Sequence, residues 1–102
     1  KVGKELEDYL AKSFGGQGAF KAGGREFDGA VKDVWYEAKS GNYWSNDYGR
    51  QGFAKFKSDM GDRLRIAKEN LKDYQLISNT PISTEAKEWL TQKGINFLEI
   101  LE

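Results

Sequence analysis

The last third of the chain carries a pattern with few structural solutions. Residues 74–78 form a short apolar run, Asn79-Thr80-Pro81 is turn chemistry, residues 83–93 have helical spacing, and residues 95–101 form a second apolar run. The helix is bounded at both ends. Ser83 or Thr84 is its cap, Ala86, Trp89 and Leu90 face inward, and Gly94 stops it. Two short strands joined through a helix run parallel, with the helix crossing one face of their sheet. At 102 residues the chain is long enough for one domain, residues 1–102, and too short for two.

Upstream, residues 2–14 read as an amphipathic helix. Val2, Leu6, Tyr9 or Leu10, and Ser13 or Phe14 share a face flanked by Glu5 and Glu7, and Gly15-Gly16 ends it. Residues 15–24 read as a loop or short irregular strand. Residues 25–31 and 34–40 read as two strands joined at Lys32-Asp33, an antiparallel hairpin. In the first, Phe27, Gly29 and Val31 alternate with Glu26, Asp28 and Ala30. In the second, Trp35, Glu37 and Lys39 lie on one face, with Val34, Tyr36 and Ala38 on the other. Residues 41–49 are a polar, aromatic loop. Residues 50–73 resume helical spacing through Phe53, Phe56, Met60, Leu64, Ala67 and Leu71, weakened at Gly61. The expected order is α-β-β-α-β-α-β, an α/β (α+β) domain with a central mixed sheet flanked by helices.

Two absences narrow the chemistry. The chain has no cysteine, which removes disulfides, thiolate nucleophiles and cysteine-ligated zinc. It also has no histidine, which removes Ser-His-Asp hydrolysis, HNH-type nucleases and histidine-pair ribonucleases. Hydrolysis by such a chain must run on carboxylates, Lys, Tyr or a hard cation with oxygen ligands. The 16 basic and 16 acidic side chains cancel, unlike the strongly basic balance of proteins that coat nucleic acid. No apolar run approaches the length of a membrane span. The opening Lys-Val-Gly, without an initiator Met, suggests a piece of a longer protein.

One constellation stands out. Glu37 and Lys39, two apart on a strand, project from one face roughly 7 Å apart. Asp28 comes from the neighbouring strand or the bend entering it, and a hairpin turning near Lys32-Asp33 brings it to a similar height. Two converging carboxylates, with the Ala38 carbonyl as a further oxygen donor, make a site for a hard cation. Such a cation lowers the pKa of bound water and offsets charge on a phosphate. Lys39 beside it can orient that water or stabilise the developing charge. The same residues on a solvated hairpin also make ordinary cross-strand charge pairs.

Asp28 followed by Glu37-Ala38-Lys39 resembles the Asp…Glu-x-Lys motif of the PD-(D/E)XK nucleases, the restriction-endonuclease-like fold with an α-β-β-β-α-β core. Gly3-Lys4-Glu5-Leu6-Glu7-Asp8-Tyr9-Leu10 is similar to that family's first core helix. There Glu7, with Glu5 in reserve, corresponds to a glutamate that assists the metal site. The later elements depart from the pattern: the long helix follows the motif strand after an aromatic loop, and the last two strands complete the sheet. The resemblance implies a metal-dependent endonuclease with Glu7, Asp28, Glu37 and Lys39 catalytic. Asp28, Glu37 and the Ala38 carbonyl hold the metal, Mg²⁺ or Mn²⁺. Glu26-Phe27-Asp28-Gly29 and Trp35-Tyr36-Glu37-Ala38-Lys39-Ser40-Gly41 resemble the C-terminal toxin domains of bacterial contact-dependent inhibition and polymorphic toxin proteins. That branch implies a domain carried on a secreted or cell-surface protein and acting on tRNA or DNA in the target-cell cytoplasm, with an immunity protein as its partner at home. A housekeeping DNA repair or recombination nuclease is the alternative enzyme, and a non-catalytic nucleic-acid-binding module the alternative of another class.

Other residues carry weaker signals. Tyr43 and Trp44 follow the motif strand, where they stack on bases, cap the sheet edge or sit in the core. Arg50 and Gln51 open the long helix, where backbone N–H groups favour phosphate. Lys55, Lys57, Arg63, Arg65 and Lys68 interleave with Asp59, Asp62, Glu69 and Asp73, which reads as a solvated, salt-bridged helix. Gln17 and Arg25 can approach the site. Glu99 and Glu102 read as solvated ends without a role.

Overall fold

The structure, a computed structural model, describes residues 16–40, 43, 44, 48 and 52–101. The helix expected over residues 2–14, with Glu5 and Glu7, lies outside the described residues, as do Arg50, Gln51 and Glu102. The described elements are β1 (Phe20–Ala22), β2 (Arg25–Phe27), β3 (Gly29–Val31), β4 (Val34–Lys39), α1 (Phe53–Glu69), β5 (Asp73–Ser78), α2 (Thr84–Lys93) and β6 (Asn96–Glu99).

β1 and β2 form an antiparallel hairpin with Phe20 opposite Phe27. Its two-residue turn is Gly23-Gly24, both with positive φ, the conformation such turns demand. Residues 15–24 thus contain a true strand. The strand expected over residues 25–31 is two strands broken by a bend at Asp28. β3 pairs antiparallel with β4 around the expected Lys32-Asp33 turn, with Lys32 in the left-handed region at φ 55°. β4 runs parallel to β5 through six register pairs, Val34 with Asp73 to Lys39 with Ser78. β5 runs parallel to β6, as the terminal pattern requires. The main sheet has the order β3-β4-β5-β6 and is therefore mixed.

α2 matches its sequence signals: the Ser83 hydroxyl accepts the Ala86 N–H, and Gly94 closes the helix at φ 74°. α1 is shorter than its apolar spacing suggests, entering at Gly52 and ending at Asn70. Leu71, the last member of the expected stripe, leaves the helix in the left-handed region and is 89% exposed.

Both helices cover the same sheet face. Phe56, Met60, Ile66 and Ala67 of α1 and Ala86 and Leu90 of α2 pack with Phe27, Tyr74 and Leu76 in the main core. Phe20, Phe27, Trp35 and Tyr74 form an aromatic group there, with ring centroids 4.9–5.8 Å apart. On the other face Tyr36 and Ile77 pack with Val31, Ala38 and Ile100. The bend at Asp28 changes one expectation. Phe27 and Val31 lie on opposite faces, because the break resets the two-residue alternation.

Candidate active site

The expected face of β4 is the observed one. Trp35 packs into the main core, and further along the same strand Glu37 and Lys39 emerge toward α1. Glu37 is 7% exposed, so its charge needs partners in place. The Lys39 ammonium lies 3.0 Å from its Oε2, and Arg63 Nε lies 4.0 Å from Oε1. Lys39 also sits over the Tyr43 ring, 4.4 Å from its centroid, a cation–π contact that fixes its direction.

Asp28 is brought to the motif strand by the bend. Its Oδ2 accepts the Ala38 N–H at 2.8 Å, between Glu37 and Lys39, while its own N–H donates to the Tyr36 carbonyl at 3.1 Å. Backbone groups of alternate strand residues point at opposite neighbours, so Ala38 turns its carbonyl to the same side as its N–H, toward Asp28. The next residue must be glycine for a reason of space. A Cβ on Gly29 would collide with the Tyr36 ring and hydroxyl, and would stand 2.7 Å from the Gln17 carbonyl oxygen. Gln17 itself pairs with Ala30 as a bridge on the outer side of β3.

Glu37, Lys39 and Tyr43 face Asp59, Met60 and Arg63 of α1 across a pocket of about 60 Å³. That volume holds a few water molecules or the oxygens of a phosphate, not a base. Tyr74 lies beneath it, its hydroxyl directed at Met60 Sδ, 3.5 Å away. Burial pushes the Tyr74 phenol well above its ordinary pKa, and the charges of Glu37, Asp28 and Asp59 push the same way, against Arg63.

Tyr43 lines the pocket, whereas Trp44 is an anchor. The Trp44 indole packs on Phe56 and Tyr48 and donates its N–H to the Ser78 hydroxyl at 3.0 Å. Ser78, fully buried at the end of β5, passes its own proton to the Thr80 carbonyl at 2.6 Å. Arg25 is drawn to Asp62 and Asp59, at 2.7 and 3.8 Å. Asp59 and Arg63, read from the sequence as solvated helix charges, belong to the pocket. One signal was present for Arg63: with Phe56, Met60 and Ala67 it falls on the inward stripe of α1.

The donor set suits a hard cation in kind, since Asp28, Glu37 and the Ala38 carbonyl all offer oxygen. Among the described residues no three acidic, cysteine or histidine side chains gather closely enough to hold a metal by themselves. Glu7, the expected fourth member, lies outside them. No helix among the described residues is long and apolar enough to cross a membrane. Compared with protein-family models, curated proteins and solved structures, the chain has no match in any of the three.

Proposed function

We propose that this chain is a metal-dependent endonuclease domain of the PD-(D/E)XK kind, hydrolysing phosphodiester bonds in tRNA or DNA. The observation that carries the reading is the contact of Asp28 with the Ala38 N–H. It draws a carboxylate from ten residues earlier in the chain onto the backbone between Glu37 and Lys39, which no ordinary solvated hairpin requires. The sheet supports the same reading: antiparallel strands, then a parallel one reached through a long helix. That is the arrangement an α-β-β-β-α-β core contains.

In this mechanism Asp28, Glu37 and the Ala38 carbonyl would hold Mg²⁺ or Mn²⁺, which supplies an activated water and offsets phosphate charge. Glu37 lies in the pocket against α1 with two cations beside it, Lys39 and Arg63. Lys39, aimed by Glu37 and the Tyr43 ring, donates to a phosphate oxygen or orients the attacking water. Tyr74 remains a neutral phenol under the pocket and takes no proton away.

By its resemblance at residues 26–29 and 35–41, the domain is a bacterial toxin domain. It is carried at the end of a secreted or cell-surface protein and neutralised by an immunity protein. The deciding experiment incubates the purified domain with plasmid DNA and with total tRNA, in Mg²⁺ and in EDTA. Cutting of either substrate that needs Mg²⁺ and disappears in Asp28→Ala supports the reading. No cutting of either, or cutting that persists in EDTA, refutes it.

A further inference from the structure

Arg63 occupies a position where the packing of α1 calls for an apolar side chain. Phe56, Met60, Arg63 and Ala67 fall at successive inward places of the helix, and the other three are buried. Its guanidinium is held from three sides. Nε donates to the Glu26 carbonyl at 2.9 Å, Nη1 to the Asp59 carbonyl at 3.3 Å, and Glu37 Oε1 lies 4.0 Å from Nε. Those bonds engage backbone oxygens and leave the positive charge largely unneutralised. Arg25, Lys55, Arg65, Lys68 and Lys72, by contrast, each have a carboxylate within 3.4 Å or closer. The side chain is only 16% exposed, and what remains open faces the pocket shared with Lys39. Among the described residues, Nη2 makes no hydrogen bond. A fixed, desolvated guanidinium with a free N–H edge, beside an ammonium, is a phosphate-binding arrangement.

We propose that Arg63 is a substrate-binding residue that holds a backbone phosphate of the nucleic acid in this pocket together with Lys39. The assignment rests on the nuclease reading of the pocket and deepens it by naming the phosphate contact on α1. Glu37 and the phosphate compete for the same two cations, so an incoming phosphate loosens Glu37 from Lys39 at the moment the carboxylate is needed.

The test measures binding of a short labelled single-stranded DNA, and of RNA of the same sequence, in EDTA over a range of salt. For Arg63→Met the affinity is expected to fall at least about tenfold, and the slope of log affinity against log salt by about one. Arg63→Lys keeps the slope and recovers part of the affinity. Arg65→Ala, removed from the pocket, changes neither beyond its general charge. An unchanged slope in Arg63→Met, or equal losses in Arg63→Met and Arg65→Ala, overturns the proposal. Should Arg63→Met fail a thermal-melt check of folding, the wild-type protein decides. Titration with inorganic phosphate shifts the Arg63 Nε–H resonance if the proposal holds, and an unmoved resonance overturns it. Cleavage is assayed in parallel. A wild type that binds through Arg63 without cutting refutes the nuclease reading alone, and one that cuts with unaltered Arg63→Met binding refutes only this proposal.

Discussion

Asp28 is bonded to the backbone of Ala38, its Oδ2 2.8 Å from the amide nitrogen that separates Glu37 from Lys39. A bend residue thus locks β4 in register at the point where the Glu37 and Lys39 side chains leave it. The contact is structural and, on the proposed function, chemical, and the two roles separate by substitution. Asp28→Asn keeps an oxygen acceptor and is expected to cost under about 1 kcal/mol. Asp28→Ala removes the acceptor and is expected to cost about 1–2 kcal/mol in denaturant melts. Cleavage is expected to vanish in both. An Asp28→Asn variant that cuts normally would reduce Asp28 to a strand clip.

Gly29 is glycine because Tyr36 lies across it. Gly29→Ala places a methyl group into the Tyr36 ring and against the Gln17 carbonyl, and is expected to lower stability by about 1–3 kcal/mol. Gly18→Ala has nothing within 4 Å and is expected to be close to neutral. Trimming Tyr36 to leucine in the Gly29→Ala background should recover part of the loss. Equal melting temperatures for Gly29→Ala and Gly18→Ala would show that the bend relaxes without cost.

These positions also show what the sequence made legible. Alternation along β4 assigned Trp35, Glu37 and Lys39 to one face, since six consecutive residues carry the signal and nothing interrupts it. Ser83 and Gly94 announced α2 because caps are local chemistry. The sequence left Asp28 open between the strand and a bend entering it, and it did not show that one residue out of step would send Phe27 and Val31 to opposite faces. The glycines that make its turn left β1 open between a loop and a short irregular strand. The fates of Trp44, Asp59 and Arg63 depend on partners distant in the chain, Ser78 in one case and β2 and β4 in the others. No periodicity encodes those partners.

Glu99, read from the sequence as a solvated end, closes the loop before α2. Its Oε2 accepts the Ile82 N–H at 2.7 Å and lies 3.3 Å from the Lys87 ammonium. The backbone hydrogen bond from Ile82, with Lys87 adding to it and burial opposing, holds this carboxyl below its ordinary value of 4.5. A depressed folded-state pKa contributes stability that is fully present above 4.5 and is lost as pH falls through the folded value. Glu99→Gln is therefore expected to be less stable than wild type by about 1 kcal/mol at neutral pH. The gap should close on acidification below 4.5. Urea melts of both proteins across that range check it, and a gap that stays constant with pH would mean that the carboxylate's charge contributes nothing.

Glu37 and Lys39 are an unequal pair. Removing Lys39 leaves Glu37 with Arg63 still within 4.0 Å, so part of the compensation survives. Removing the Glu37 charge leaves two cations facing each other across a pocket of about 60 Å³, with no carboxylate of β4 between them. Glu37→Gln is expected to cost about 1–3 kcal/mol and Lys39→Met about 1 kcal/mol or less, because an unpaired buried charge costs more than a lost partner at the pocket mouth. Added salt should narrow the difference, since the pocket is open enough for counter-ions to enter. Both variants are expected to lose cleavage. Denaturant melts at low and high salt measure the asymmetry, and a Lys39→Met cost equal to that of Glu37→Gln would show that Arg63 gives Glu37 no support.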